Sequence, residues 1–297
     1  MEWTPDQGKI WVHLNYLAPN AAEWLMNHAK IEPIIAEALV ARETRPRSIT
    51  AKKGLVVNLR GVNLNAGNDP EDMISIRSWI DEDRIITLRK HTLRSVRELK
   101  RYLEEGQGSK NPGDLFCDLV YILLDRIGEV LGQIDEEMDD LEEAVLMASD
   151  HQPRRELLVI RQKTIALRRY LAPQREVLSR LPSEKSTALS DKDRMHLREN
   201  SDRMTRFLED LDEVRERAAI AQDELSTRIN ERLSKNTYVL SVIAAIFLPL
   251  SLLTGLLGIN VSGIPGEKDE YAFLFVCVML VVTGILQFVL YRKLHWI

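Results

Sequence analysis

Two long apolar segments restrict the fold of this chain more than any other feature. They cover residues 238–257 and 272–291, and neither contains an Asp, Glu, Lys, Arg or His. A helix needs about 20 predominantly apolar residues to cross the hydrocarbon core of a bilayer, which is ~30 Å thick. The residues between the segments, 258–271, are rich in glycine, proline and charged side chains, which is typical of a loop. The sequence therefore predicts a helical hairpin that crosses a membrane twice.

Charged residues next to the hairpin predict its orientation. Basic residues flank the spans at Arg228, Arg232, Lys235, Arg292 and Lys293. The connecting loop carries the carboxylates of Glu267, Asp269 and Glu270. By the positive-inside rule both ends of the chain are expected in the cytoplasm, with the loop on the opposite side. The first residues show no basic region followed by an apolar stretch, so we expect no signal peptide.

Overall composition argues against several classes of function. The 297 residues carry a formal net charge of -5, with a pI near 5.8, so nucleic acid is not an expected partner. No glycine-rich phosphate loop and no nucleophile–base arrangement is visible, so we do not expect an enzyme or an ATP-driven pump. Charge is concentrated before residue 236, which indicates a large water-soluble part.

Residues 1–112 are predicted to form a mixed α/β domain of the α+β class, with helical layers on both faces of a sheet. Alternating apolar residues predict a strand within residues 10–16 and two β-hairpins, one within residues 48–64 and one within residues 73–92. Helical spacing predicts helices over residues 21–40 and 96–105. Residues 106–113 have the composition of a linker or turn.

The next part of the chain is predicted to be helical almost throughout. Residues 113–190 are expected to form an acidic helical pair, 114–149 and 154–181, with Pro173 as a candidate kink in the second helix. A third helix is expected to begin near Asp191 and to form a stalk over residues 191–236. Its apolar residues recur at steps of three and four, which is coiled-coil-like. We expect it to enter the membrane uninterrupted as a first span, 237–258, so that stalk and span together are about 100 Å long. A loop at 259–270 and a second span with a basic tail, 271–297, complete the chain.

One side of the first span carries mostly small or polar residues. They are Thr237, Ser241, Ala244, Leu248, Ser251, Gly255 and Gly258, at steps of four and three. Two interpretations remain open. Small residues let membrane helices approach closely, which favours a helix–helix contact. A polar wall can also line a pore that holds water and releases ions. Two helices cannot enclose a pore, so the second interpretation requires a homo-oligomer.

We call this row of residues the stripe, and the row of apolar residues along the stalk the apolar seam. Just before the stripe, Ile229 and Leu233 continue the apolar seam. Rings of these residues could form a hydrophobic constriction at the cytoplasmic end of a pore. The alternative is that they are ordinary packing residues of the stalk.

Candidate metal ligands elsewhere are weak. Residues 135–143 place seven carboxylates in nine positions, which fits a solvated helix face better than a cation site, with Ile134, Met138, Leu141 and Val145 on the buried side. The six histidines are scattered, and no Cys-x-x-Cys pair occurs. We therefore predict no high-affinity metal site and no resident cofactor.

The loop motif resembles a known family. Gly258-Ile259-Asn260 follows the first span, ahead of a short acidic loop and a second span, and this arrangement resembles the CorA superfamily of divalent-cation transporters. The longer string Gly-Ile-Asn-Val-Ser-Gly-Ile-Pro-Gly from Gly258 is similar to the ZntB branch, which is associated with zinc. Residues 11–14 (Trp-Val-His-Leu) and 43–47 (Glu-Thr-Arg-Pro-Arg) also resemble that branch. The resemblance covers the whole chain.

The resemblance implies a funnel-shaped homopentamer in the bacterial inner membrane, with the first span lining the pore and Gly258, Ile259 and Asn260 at its outer mouth. It implies transport of Zn²⁺ or other divalent cations, driven by an ion gradient, the membrane potential or coupling to H⁺. Ile259 stands where magnesium members have Met, which weakens the case for Mg²⁺. Glu267, Asp269 and Glu270 are either cation-concentrating groups at the mouth or solvated loop charges. The competing hypotheses are a magnesium or broad-range channel and a non-transporting, membrane-anchored coiled-coil scaffold or sensor.

Overall fold

A computed structural model describes residues 8–41, 45–147, 152–258 and 270–293. The chain divides into two compact units, Met1–Asp223 and Glu224–Ile297. The described residues of the first unit form five strands, β1 (Ile10–Asn15), β2 (Arg47–Ala51), β3 (Gly54–Gly61), β4 (Ile74–Ile80) and β5 (Arg84–Arg89). The helices of the described chain are α1 (Ala21–Asn27), α2 (Pro33–Val40), α3 (Arg94–Glu104), α4 (Pro112–Met147), α5 (Gln152–Arg180), α6 (Asp191–Leu257) and α7 (Ala272–Lys293).

The strands form one mixed sheet in the order β1-β5-β4-β3-β2. Only the β1–β5 pair is parallel; β2–β3, β3–β4 and β4–β5 are antiparallel. The two alternating runs therefore form the two predicted hairpins, and the first strand returns beside the last. Gly54 is the first residue of β3. A side chain would not fit there, because a Cβ would lie 2.6 Å from both the Ile80 carbonyl oxygen and the Trp79 ring.

Helices α1 and α2 cover one face of the sheet. Their apolar residues Leu25, Ile35 and Leu39 share a buried cluster with side chains of the sheet, including Val56 and Ile86. The periodicity of residues 21–40 predicts one helix, whereas the structure has two.

The helix breaks because of backbone constraints between α1 and α2. Lys30 has a left-handed φ of 51°, and the Ile31 amide donates to the Leu25 carbonyl at 3.0 Å, so the chain turns out of the helix at this residue. Pro33 then occupies the first turn of α2, where its missing N–H costs nothing.

Helices α3, α4 and α5 cover the opposite face. A Cβ at Gly61 would meet Leu123 of α4 at 2.7 Å and Leu93 at 3.0 Å, which shows how closely this helical layer approaches β3. Helix α4 turns a long apolar side inward, from Leu115 and Phe116 to Val145. The predicted α/β/α layering is confirmed.

Helix α6 is continuous for 67 residues, as predicted. It begins with a reciprocal cap in which the Asp193 amide donates to Ser190 Oγ and the Ser190 amide donates to Asp193 Oδ2. Within the first unit it packs beside α4 and α5: Arg203 pairs with Asp125, and Arg168 binds both oxygens of Asp212 at 2.8 Å. Most of the apolar seam is buried there, at Met204, Leu208, Leu211, Val214, Ala218 and Ala221. Pro173, the candidate kink, lies inside α5, and the helix is not interrupted there.

A chain of polar side chains crosses the parallel β1–β5 pair. Trp11 Nε1 donates to Thr87 Oγ1 at 2.8 Å, and His13 Nδ1 lies 2.8 Å from the same oxygen. Arg89 Nε donates to His13 Nε2 at 2.9 Å, so that nitrogen is an acceptor and the imidazole is neutral. Burial, and then the positive charge of Arg89, lower the pKa of His13 from 6.5 to about 4.

This pKa shift predicts a pH dependence of stability. The unfolded chain takes up a proton on His13 near pH 6.5, but the folded protein does so only near pH 4. The free energy of unfolding should therefore fall as the pH drops from about 6.5 to about 4. We expect His13→Gln, which keeps a neutral acceptor for Arg89, to flatten this part of the profile. Thermal unfolding of both proteins in detergent across this pH range would check it; identical slopes would contradict the assignment.

Candidate functional site

The second unit contains the two segments that the sequence predicts to cross a membrane. Helices α6 and α7 are the two described helices that are long and apolar enough to do so, and the apolar stretch of neither is buried. The first span is a direct continuation of the stalk, because α6 has no break between residues 191 and 257.

The polar stripe of the first span lies on the exposed side of the helix. All of Thr237, Ser241, Ala244, Leu248, Ser251, Gly255 and Gly258 are exposed. The half-buried residues are Val242, Ala245, Ile246, Pro249, Leu250 and Leu253. At 3.6 residues per turn, the centre of this half-buried side lies about 150° around the helix from the stripe. Helix α7 covers the half-buried side, so within one chain the stripe is not the contact between the two spans.

The stripe is long enough to line most of a bilayer. From Thr237 to Gly255 it extends for about 27 Å along the helix axis. Ser241 Oγ donates its hydrogen to the Thr237 carbonyl at 2.8 Å. Its remaining lone pairs are therefore free to accept hydrogen bonds from water or to face a cation.

Pro249 leaves a backbone carbonyl inside the first span without its usual partner. Proline has no N–H, so the Ala245 carbonyl, four residues earlier, loses its helical donor. The structure supplies another donor: the Tyr291 hydroxyl of α7 donates to the Ala245 oxygen at 3.3 Å. An unsatisfied carbonyl is costly in hydrocarbon. This bond therefore fixes which side of α6 faces α7.

The sequence alone does not connect Pro249 with Tyr291, because the two residues lie on different helices. A proline in a membrane helix is the signal that could prompt the search for a donor on the neighbouring helix. Gln287, one turn before Tyr291, is also missed. Its Oε1 is buried and has no hydrogen-bond partner among the described residues.

The apolar side chains along the stalk become more exposed toward Ile229 and Leu233, the two residues of the candidate constriction. Leu225 is 2% exposed, Ile229 is half-buried and Leu233 is 58% exposed. Leu233 lies four residues before Thr237, so it continues the line of the stripe. A single chain leaves this leucine without apolar cover.

The candidate mouth is described only in part. The Gly258 amide donates to the carbonyls of Thr254 and Gly255 at 2.9 and 3.2 Å, so the helical turn closes at the predicted position. Glu270 is exposed just before α7. Ile259, Asn260, Glu267 and Asp269 lie outside the described residues.

The acidic run of α4 is largely paired with cations of the same unit. Its predicted buried side, Ile134, Met138, Leu141 and Val145, is buried. Arg217 of α6 donates to Asp135, Asp139 and Glu142, and its bonds to Glu142 and Asp139 raise its pKa. Lys163 of α5 pairs with Glu137 at 2.7 Å. In the part of the chain that the structure describes, no group of three or more His, Cys, Asp or Glu side chains could hold a metal ion. The run therefore joins three helices of the first unit.

Comparison with known proteins decides the family. The family profile described as "CorA-like Mg2+ transporter protein" matches residues 6–292. The chain belongs to the CorA-like transporter family. This confirms the resemblance drawn from Gly258-Ile259-Asn260 and the hairpin around it.

Individual relatives are similar over nearly the whole chain. The divalent cation transporter CmaX of Pseudomonas aeruginosa is 37% identical over 299 residues, which cover 100% of this chain and 90% of CmaX. The zinc transport protein ZntB of Yersinia pestis is 36% identical over 272 residues, covering 92% of this chain and 83% of ZntB. The solved structure of full-length CmaX superimposes with a TM-score of 0.85 at 37% identity, over 97% of this chain and 89% of that one. The predicted order of α/β domain, long helix and two membrane helices is thereby confirmed.

The Tyr291–Ala245 bond predicts a specific coupling between two substitutions. Tyr291→Phe should destabilise the protein by about 1–3 kcal/mol, because it leaves the Ala245 carbonyl without a donor. In a Pro249→Ala background, the backbone amide regained at position 249 supplies the donor, so the same tyrosine substitution should cost much less. A double-mutant cycle on thermal unfolding in detergent measures the difference. Equal costs in both backgrounds would show that Tyr291 does not serve the carbonyl freed by Pro249.

Proposed function

We propose that this protein carries divalent cations, Zn²⁺ above all, through a pore that several copies build together. The observation that carries the proposal is the exposed stripe from Thr237 to Gly258, which faces away from α7. Small and hydroxyl-bearing residues give little apolar surface to lipid, but they suit a side of a helix that faces another helix or water. Assembly of copies around a common axis would give the stripe an aqueous pore to line, and the homopentamer implied by the family resemblance would suffice.

The proposed path follows one helix from end to end. Thr237, Ser241, Ala244, Leu248, Ser251 and Gly255 line the pore, and Gly258, Ile259 and Asn260 form its outer mouth. A ring of Asn260 amide oxygens would accept hydrogen bonds from the water shell of a cation without removing that shell. This suits ions that dehydrate reluctantly, as Mg²⁺ does. Glu267, Asp269 and Glu270 would raise the local cation concentration.

Zinc is proposed as the cargo on two grounds. The ZntB relatives that match this chain over most of its length are named as zinc transport proteins. Ile259 replaces the methionine that magnesium members carry in the motif. The CmaX relative is named for divalent cations in general, so a broad-range or magnesium channel is the alternative that a transport experiment must separate.

The domain assignment follows from this path. Residues 1–112 and the helical pair 113–190 form the cytoplasmic part, and 191–236 form the stalk that leads to the first span, 237–258. The loop 259–270 faces outward, and 271–297 returns to the cytoplasm. We place the protein in a bacterial inner membrane with both termini in the cytoplasm, because the basic residues flank the spans on that side.

Flux through purified full-length protein in liposomes tests the proposal. We expect Zn²⁺ uptake that exceeds Mg²⁺ uptake and falls severalfold in Asn260→Ala, since the ring of acceptors is lost. Asn68→Ala, which removes an exposed amide of the N-terminal domain, is the matched control and should leave flux unchanged. No zinc flux in any variant would favour the scaffold hypothesis, and equal Mg²⁺ and Zn²⁺ flux would contradict zinc as the preferred cargo. A second series with an imposed pH gradient separates passive flow from H⁺ coupling.

The candidate constriction at Ile229 and Leu233 can be tested as a gate in the same liposomes. A hydrophobic constriction of Leu233 or Ile229 side chains stops ions by excluding water. Leu233→Ser should then raise the passive leak of cations down their own concentration gradient, with no membrane potential or pH gradient imposed. Ile220→Ser is the control, because Ile220 is 63% exposed on the same helix, close to the 58% of Leu233, but lies about 20 Å farther from the span along the helix axis. An unchanged leak in Leu233→Ser would place the constriction elsewhere.

A further inference from the structure

A cleft lies at the sheet edge where β1 runs parallel to β5, beside helix α3. Its volume is about 410 Å³, within the range of small-molecule sites. Its lining residues come from β1, from the end of β5 and the turn after it, and from α3: Trp11, His13, Arg89, Thr92, Leu93, Val96, Arg97 and Lys100. The cleft belongs wholly to the first unit and has no part in the proposed pore.

The cleft is cationic. Arg89, Arg97 and Lys100 line it, and no carboxylate does so among the residues that the structure describes. In the described part of the chain, neither Arg89 nor Arg97 forms an ion pair; Lys100 pairs with Glu104 at 3.4 Å, with both side chains more than 60% exposed. An exposed pair of this kind contributes little. The cleft therefore presents positive charge that the described part of the first unit does not neutralise.

Arg89 is held in place by neutral groups. Its Nε donates to His13 Nε2 at 2.9 Å, and its Nη1 donates to Thr92 Oγ1 at 3.3 Å. Neither acceptor carries a negative charge, so the guanidinium is oriented without being neutralised. A half-buried guanidinium fixed in this way is suited to bind a phosphate through paired N–H donors.

An aromatic surface lies beside these cations. The Trp11 indole is fixed by its bond from Nε1 to Thr87 Oγ1, and its ring centroid lies 5.9 Å from that of His13. Aromatic side chains stack on nucleobases, because every base has a π-face. Cations for phosphate and an indole for a base are the two parts of a nucleoside phosphate site.

The cleft has room for a chain of phosphates. Arg89 and Thr92 also line an adjoining cavity of about 650 Å³, which contains Lys90 and His91. Asp72 is the one carboxylate among the lining residues described for that cavity. A ligand that extends from Trp11 past Arg89 would meet further cations.

We propose that this cleft binds a nucleoside phosphate, with the base against Trp11 and the phosphate on Arg89, Arg97 and Lys100. Binding here does not depend on the cargo or the oligomeric state of the pore. The site would let the soluble unit respond to a phosphorylated metabolite of the cytoplasm.

Binding to the purified full-length protein in detergent tests this proposal. Isothermal titration with AMP, ADP, ATP, adenosine and inorganic phosphate compares the two halves of the ligand. We expect at least one nucleotide to bind about tenfold or more tightly than either adenosine or phosphate alone. Arg97→Glu should weaken that affinity by about tenfold or more. The control Arg101→Glu reverses the same charge on the same helix outside the cleft, and should leave the affinity unchanged. Trp11→Leu should weaken nucleotide binding but not phosphate binding.

Three results would overturn the proposal. They are no detectable binding of any nucleotide, equal loss of affinity in Arg97→Glu and Arg101→Glu, and phosphate affinity equal to that of the nucleotides. The second would reveal only general attraction to a basic helix, and the third only a simple anion site. The thermal unfolding midpoint of each variant, measured in the same detergent, must match the parent protein before its affinity is interpreted.

Discussion

The hydrogen bond from Tyr291 to the Ala245 carbonyl is the interaction on which the membrane part of the structure depends. Pro249 removes one backbone donor from a helix that crosses hydrocarbon, where every free carbonyl is costly. The hydroxyl of the second span replaces that donor. This can happen only when one side of the first span faces α7. The opposite side, with its small and polar residues, is then left for other partners, so a proline and a tyrosine together determine which side of the first span α7 leaves uncovered.

The same long helix also runs through the first unit. Over its first part, α6 is held by buried apolar residues from Met204 to Ala221 and by arginine–carboxylate pairs such as Arg168–Asp212. Arg217 binds three carboxylates of α4, which keeps the acidic run from repelling itself. Beyond Leu225 the apolar seam becomes exposed, at Leu233 above all. A continuous helix that is packed against other helices over its first part, and has exposed apolar residues farther on, is suited to assembly with further copies of the chain.

Much of this can be predicted from the sequence, because the strongest signals are local. Uncharged apolar segments and an unbroken helical pattern from Asp191 identify the hairpin and the stalk, and alternating residues identify both strand hairpins. The pattern of residues 21–40 predicts one helix where there are two, because periodicity does not reveal the left-handed turn at Lys30. The partners of the acidic run, the donor for Ala245 and the cleft around Arg89 depend on contacts between distant parts of the chain, so no single segment carries their signal. The role of Asn260 stays a prediction.

The central claim is that the stripe of α6, and not the side that faces α7, lines water. Single cysteines can be placed along residues 237–258 in a Cys277→Ser background and treated with a membrane-impermeant thiol reagent in intact liposomes. The remaining native cysteine, Cys117, is buried, and burial raises the pKa of its thiol, so its background reaction with the reagent is slow. The account predicts fast modification at positions 237, 241, 244, 251 and 255, and slow modification at 242, 246 and 253. Fast modification of the second set and protection of the first would contradict it.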